Sequence, residues 1–174
     1  MPILIFVVLV IIIFSIYNSL IRAKNKALQS KSSIDVYLTQ RFDLIPNLVE
    51  CVKAYSKFEK ETLESIAKLR SEYNNTKNLE KGSELNAACN RILAIAENYP
   101  ELKSSENFLN LQKNLTKIEN QLQAARRLYN SDVTTYNTKI NTIPSNIFAG
   151  IFGFKEMNLF ELESGAEQNI NIKL

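Results

Sequence analysis

The sequence predicts an all-α protein with an N-terminal transmembrane helix. An antiparallel up-and-down four-helix bundle with long helices follows, and then a short C-terminal helix and an extended tail. Three observations predict this class: the chain opens on an apolar run, its apolar residues recur at helical spacing, and only four glycines and four prolines interrupt its 174 residues. Because glycine and proline are the poorest helix formers, their scarcity leaves room for long helices. The length suits one domain plus an appendage.

The first segment, 1–21, has the composition of a membrane anchor. Every residue from Ile3 to Phe14 is apolar, and no charged side chain precedes Arg22. About 20 helical residues cover roughly 30 Å, the hydrocarbon thickness of a bilayer. No basic segment precedes the run and no convincing cleavage site follows it, which favours an uncleaved anchor over a signal peptide. The residues that we expect along the span are Ile3, Phe6, Leu9, Ile12, Ile16 and Leu20.

Basic residues follow the span directly and predict its orientation. By the positive-inside rule, they place the domain in the cytoplasm and the N-terminus outside the cytoplasmic (inner) membrane, in a single-pass topology. The same cations are candidates for contact with anionic lipid headgroups, although a role as topology signals alone is the simpler interpretation. These residues are Arg22, Lys24, Lys26 and Lys31.

The region 22–143 predicts the helical bundle. In its last helix, apolar residues from Phe108 to Ile143 recur mostly at alternating steps of three and four, which is the heptad seam of a coiled coil. A helix of about 37 residues must pack on partners to be stable in water. Since those partners can be internal or belong to another copy, the oligomeric state stays open. The predicted helices cover about 22–43, 46–73, 84–98 and 105–141.

Prolines and polar stretches mark the predicted helix boundaries. Pro46 lacks the N–H that a helix interior needs, so it predicts a helix break with a tight reversal, or alternatively a kink in one long helix. Asp43 is placed to cap the turn that follows. The polar stretch 74–83 predicts a loop, with Ser83 capping the next helix. Pro100 ends that helix, because it disfavours the helical conformation of the preceding residue.

The last segment, 144–174, differs in character. Pro144 suits the first turn of a short helix, whose apolar residues can share one face. The simpler interpretation is a lid over the end of the bundle, and the alternative is a helix in the membrane interface. The tail 169–174 alternates polar and apolar residues and predicts an extended segment. The apolar residues of the short helix and its end are Ile147, Phe148, Ile151, Phe152 and Phe154.

The composition argues against enzymatic, metal and nucleic-acid chemistry. The chain has no histidine, the commonest general base and a frequent metal ligand. Cys51 and Cys89 form no metal or redox motif, so we expect both to be packed on helices. A net charge of +3 without a basic patch does not indicate a nucleic-acid partner. The sequence therefore predicts no catalytic residue, no cofactor, no metal and no small-molecule substrate.

Four longer motifs occur in order along the chain: RFDLIPNLVECVKAYSKFEKETLESI, AIAENYPELKSSENFLNLQKNL, RRLYNSDVTTYNTKIN and IPSNIFAGIFGF. Together they resemble the LemA family of bacterial membrane proteins, over about Tyr17 to Phe154. The resemblance implies a single N-terminal transmembrane helix, a cytoplasmic helical bundle and no agreed molecular activity. Where the family often has a histidine before glutamate, this chain has Phe58, so any role of that histidine is absent here.

These observations favour a membrane-anchored, non-enzymatic scaffold or adaptor that meets an unidentified protein partner. Polar residues of the third motif are candidates for that contact, and internal polar pairing is the simpler interpretation. The alternative function is lipid contact or membrane shaping through the juxtamembrane cations and the segment 147–154. The polar candidates are Arg126, Asn130, Tyr136 and Asn137.

Overall fold

The computed structural model describes residues 1–53, 60–96 and 98–160. These residues form helices without any strand, which confirms the all-α class with a long apolar N-terminal helix and a short C-terminal one. The predicted extended tail at 169–174 lies outside the described residues. The helices are α1 (Pro2–Asp43), α2 (Ile45–Lys53), α3 (Lys60–Thr76), α4 (Leu79–Ala96), α5 (Pro100–Lys103), α6 (Glu106–Asn141) and α7 (Ser145–Ile151).

The chain forms two compact units, and the long helices α1 and α6 contribute to both. Unit 1 consists of Met1–Leu28 and Arg127–Leu174, and unit 2 consists of Gln29–Arg126. Unit 1 therefore contains the apolar start of α1, the second half of α6, and α7. Unit 2 contains the rest of α1 and α6 together with α2 to α5.

Pro46 kinks a long helix and does not reverse the chain. Only Leu44 separates α1 from α2, and its N–H donates to the carbonyl oxygen of Arg41 at 3.2 Å. Helical bonding resumes at once, with Leu48 N–H to Leu44 O at 3.0 Å. Pro2–Lys53 thus forms one long helix that is interrupted only at Leu44, so the predicted reversal is wrong and the alternative of one long helix with a local break at Pro46 is correct. The missing N–H of Pro46 and its clash with the carbonyl of Phe42 account for the local break.

The bundle in unit 2 is assembled from the kinked α1–α2 rod, α3, α4 and α6. Ile34, Leu38 and Phe42 of α1 are each at most 1% exposed, as their spacing on one helix face requires. The ring of Phe42 meets that of Tyr73 in α3 edge-on, with centroids 5.0 Å apart. On α6 most of the seam residues are buried as well, and Ile118 is half-buried. The buried ones in unit 2 are Phe108, Leu111, Leu115, Leu122 and Ala125.

A two-residue connection joins α3 to α4, much shorter than the predicted loop. Lys77 adopts φ 49° and its N–H donates to the carbonyl oxygen of Tyr73 at 2.7 Å, a left-handed helix end. Asn78 then accepts the N–H of Glu80 on its side-chain oxygen at 2.8 Å, so Asn78 caps α4. The predicted loop 74–83 and the predicted cap at Ser83 are wrong, because Ser83 lies inside α4.

Gly82 lies in the first turns of α4, where the helix approaches its neighbours closely. A Cβ atom there would lie 3.0 Å from Leu38 Cδ1 and 3.1 Å from Tyr73 Cε2. This close approach is the reason for a glycine at a helical position. Farther along, Tyr99 is extended (φ −110°, ψ 98°), and Pro100 begins the short helix α5. Pro100 therefore lies at a helix boundary, as predicted.

Within unit 1 the second half of α6 runs antiparallel to α1. Lys139 donates to Ser19 Oγ at 2.9 Å, and Asp132 pairs with Lys26 at 3.0 Å. A step of seven residues forward along α1 therefore corresponds to a step of seven residues backward along α6. The core between them is small. It contains Leu20, Ala23, Tyr136, Ile140 and Ala149, with Ile16, Phe154 and Met157 packed against it.

Candidate functional site

A repeated Tyr-Asn pair on α6 holds an extended segment of the same chain. Residues 154–160, which we call the strap, follow α7 without regular secondary structure. Asn137 donates to the carbonyl oxygen of Met157 at 2.8 Å and accepts its N–H at 3.0 Å. Asn130 makes the same pair of bonds with Phe160, at 3.0 and 2.7 Å. Each amide side chain thus binds the N–H and the carbonyl oxygen of one residue, as a residue of a neighbouring β-strand would.

The spacing of the two asparagines matches the length of the strap. Seven helical residues advance about 10.5 Å and three extended residues advance about 10 Å, so Asn130 and Asn137 meet every third strap residue. The tyrosines beside them add two bonds to strap carbonyls. Tyr129 donates to Asn158 O at 2.9 Å, and Tyr136 donates to Lys155 O at 2.8 Å. Burial raises the pKa of both phenols, which keeps them protonated as donors.

This arrangement gives three of the four polar candidates a role inside the chain. Asn130, Tyr136 and Asn137 hold the strap, which is the internal polar pairing that the sequence left open. Arg126 lies in unit 2 and is 5% exposed. The sequence signal for the strap site was the repeat of Tyr-Asn at an interval of seven, but the segment that it binds contributes only backbone groups.

The short helix α7 packs through a small alanine and exposes its two isoleucines. Ala149 is 2% exposed and belongs to the unit 1 core, whereas Ile147, Ile151 and Phe152 are exposed. Phe148 is half-buried. Pro144 directly precedes the first helical residue and follows a cis peptide bond.

Aromatic residues join the end of α7 and the strap to α1. The ring of Tyr17 lies edge-on to Phe152 and Phe154, with centroids 5.0 and 5.9 Å apart. Lys24 places its ammonium 5.9 Å from the centre of the Phe154 ring. The contacts fix this end of unit 1 against the segment of α1 that the sequence assigns to the membrane boundary.

The juxtamembrane cations differ in their surroundings. Lys26 pairs with the buried carboxylate of Asp132, and Arg22 donates its Nε to Asn18 O at 3.2 Å. Lys24 lies over an aromatic ring, and Lys31 is exposed in unit 2. Part of the predicted cationic patch is thus also engaged in contacts within the protein.

α1 is long and apolar enough at its start to cross a membrane. The side chains of the predicted span are largely exposed on the protein itself, for example Ile3 at 78% and Ile12 at 45%. Leu20 is 1% exposed because it packs into the unit 1 core, so its neighbours are protein side chains. Among the other predicted span residues, Phe6 is 67% exposed, Leu9 is 53% exposed and Ile16 is half-buried.

Unit 2 contains a buried ionic cluster that links three helices. Arg41 on α1 is 1% exposed, donates to Asn90 on α4 at 2.5 Å and pairs with Glu119 on α6. Cys89 lies in the same interior, where burial raises the pKa of its thiol to about 11 in spite of the Arg41 charge. A protonated, buried thiol is a poor nucleophile, so Cys89 serves packing.

Several acidic residues of the described chain form ion pairs with cations. Asp43 ends α1 and lies 3.5 Å from Arg70, where the sequence predicted a capping role. A surface cleft of about 650 Å³ lies between α2 and α3, and Glu64 is the one carboxylate among the described residues that line it. Among the described residues, no group of three or more acidic or cysteine side chains is placed to hold a metal ion.

Comparisons with known proteins find related sequences over most of the chain. The pattern that defines the LemA family matches residues 30–174. "Protein LemA" of Metamycoplasma hominis is 27% identical over 168 residues, which is 91% of this chain and 77% of that protein. "Magnetosome protein MamQ 2" of Paramagnetospirillum magneticum and "Magnetosome protein MamQ" of Magnetospirillum gryphiswaldense are each 32% identical, over 74 and 73 residues. Those matches cover 42% of this chain and 27% of each relative.

Proposed function

This chain belongs to the LemA family, and we propose that it is a membrane-anchored, non-enzymatic scaffold that presents its helical bundle to a protein partner. The LemA family is not known as a family of enzymes. In this proposal the anchor crosses the cytoplasmic membrane once, with the N-terminus outside and the bundle in the cytoplasm.

The continuity of α1 is the observation that carries the proposal. The same helix contains the apolar span from Pro2 onward and core residues of unit 2 such as Ile34, Leu38 and Phe42. A separate anchor on a loop would tether a domain loosely, whereas a helix shared with the core makes the anchor part of the fold. This construction suits a protein whose task is to hold a surface at the membrane.

The buried polar groups support a structural role over chemistry. Arg41 and Glu119 neutralise one another inside the bundle, and Asp132 is neutralised by Lys26. Charged groups that are paired in this way favour one arrangement of the helices. The bundle therefore acts through its surface.

Protease protection on sealed inverted and right-side-out vesicles tests the orientation. Digestion of the bundle only in inverted vesicles is the expected result, since these vesicles expose the cytoplasmic face. Digestion in right-side-out vesicles would refute the orientation and leave the anchoring intact.

Crosslinking in native membranes tests the scaffold itself. Photoreactive residues at the exposed Leu109 and Val36 of the full chain should yield defined protein adducts. The matched control is a chain limited to residues 1–28, with the photoreactive residue at the exposed Leu28. Adducts that are identical in the full chain and the control would show that the bundle recruits nothing.

A further inference from the structure

The exposed side of α7 carries large apolar side chains next to the exposed Asn146, whereas the outer face of a helix in water is mainly polar. Ile147 is 58% exposed, Ile151 70% and Phe152 46%, and Ile143 just before the helix is 77% exposed. The hydroxyl of Ser145, by contrast, turns inward and donates to the carbonyl oxygen of Lys139 at 2.6 Å. In a surface helix the apolar stripe packs inward and the polar face meets solvent.

This cluster stands out among the described residues beyond the apolar span. Nine large hydrophobic residues there are exposed, and four of them lie within the ten residues 143–152. Single exposed apolar side chains are ordinary, but a contiguous group marks a surface that is covered by something. The sequence also has no charged residue from Ile140 to Phe154, a run of fifteen residues bounded by Lys139 and Lys155.

The position of α7 along α1 identifies what covers it. If the bilayer core of about 30 Å begins near Pro2, a helix that rises about 1.5 Å per residue leaves it near Ile21. Tyr17 then lies about 6 Å inside the boundary, a depth typical of interfacial helices, which bury about 5–10 Å. The ring of Phe152 lies 5.0 Å from that of Tyr17, so the exposed end of α7 is at the same level.

We infer that α7 is inserted in the membrane interface and that its exposed residues Ile147 and Ile151, together with Phe152 directly after the helix, are covered by lipid acyl chains. Lys139, which is bonded to Ser19, and Lys155 flank the uncharged run and place its ends at the headgroups. Ala149 supplies the opposite, protein-facing side. The protein thus meets the bilayer twice, through the span and through α7.

This inference rests on the anchoring of α1, so the test must separate the two. The chain has no tryptophan, which permits single-tryptophan probes in the full-length protein. Phe152→Trp and Ile151→Trp report on α7, and Leu9→Trp reports on the span. Leu109→Trp in unit 2 is the matched control, since Leu109 is 47% exposed and Phe152 46%. All variants are reconstituted in phosphatidylcholine vesicles with or without brominated acyl chains, and circular dichroism checks their helix content.

Brominated lipid should quench the α7 probes by at least about twofold, as expected at interfacial depth, and should leave Leu109→Trp unchanged. Iodide in the aqueous phase should quench Leu109→Trp more strongly than the two α7 probes. If Leu9→Trp is quenched by the lipid while both α7 probes respond only to iodide, the inference is wrong and the anchoring stands. If Leu9→Trp also fails to respond to the lipid, the anchoring is wrong as well.

A cysteine variant covers the case in which tryptophan disturbs α7. Ile147→Cys, in a chain with Cys51→Ala and Cys89→Ala, should react with a membrane-impermeant maleimide at least about tenfold more slowly in vesicles than Leu109→Cys in the same background. Equal labelling rates would overturn the insertion of α7.

Discussion

The attachment of the strap to α6 can be tested at a single side chain. The side chain of Asn137 makes two hydrogen bonds with the backbone of Met157: it donates to the carbonyl oxygen at 2.8 Å and accepts the N–H at 3.0 Å. Partly buried hydrogen bonds contribute about 0.5–1.5 kcal/mol each, so Asn137→Ala should weaken the attachment by about 1–3 kcal/mol. Since about 1.4 kcal/mol is a factor of ten, local opening should become about 5- to 150-fold more frequent.

Amide hydrogen exchange measures this opening directly. The Met157 N–H should exchange faster in Asn137→Ala by that factor, because its acceptor is lost. The control is Asn120→Ala, at an exposed position of the same helix, which shares the gain in helix propensity and leaves the strap intact. If the Met157 amide exchanges equally in the two variants, the asparagine does not hold the strap.

Three further predictions concern unit 2, each measured by denaturant unfolding of the full chain in detergent. Arg41→Met should destabilise by about 3–5 kcal/mol by leaving the Glu119 carboxylate without its buried partner, and adding Glu119→Leu should restore much of the loss. A double variant that is no more stable than Arg41→Met alone would refute this pairing. Gly82→Val should cost about 1–3 kcal/mol through overpacking on Leu38, and a stability equal to the parent's would contradict the close approach. Because burial raises the pKa of the Cys89 thiol from 9.0 to about 11, the unfolded chain ionises first. Stability that is present below pH 9 should therefore fall by up to about 3 kcal/mol as the pH rises to about 11, and Cys89→Ala should remove that part of the loss.

The helical class and the core of α6 could be read from the sequence because both depend on periodicity. The seam that begins at Phe108 predicted which residues of α6 are buried, and the structure buries Leu115 and Leu122 as expected. The apolar span could be predicted from the sequence in the same way. Composition at this scale reflects the hydrophobic effect, which acts on every residue of an amphipathic helix.

Local breaks were harder to predict because one residue type permits two structures. A proline fits the first turn of a new helix and also a kink, so the sequence around Pro46 could not decide between them. Gly82 in a polar stretch resembled a loop, but its reason is the approach of Leu38 and Tyr73 from other helices. Tertiary contacts of this kind leave no local signature.

The strap site was missed for a different physical reason. Asn130 and Asn137 were singled out, but their partners are peptide groups of Met157 and Phe160, and every residue has such groups. Recognition through backbone atoms places no constraint on residue type that a sequence pattern could reveal. The two asparagines fit the strap because seven helical residues cover about the same distance as three strap residues. This correspondence can be seen only in the structure.

The most direct test of a membrane-held scaffold is site-specific photocrosslinking in native membranes. A photoreactive residue at Leu109, on the surface of unit 2, is compared with one at Leu28 in the chain limited to residues 1–28. The proposed function predicts a discrete protein adduct that forms from Leu109 and is absent from the control. A full chain that crosslinks only to lipid, or only to the proteins that the control captures, would contradict it.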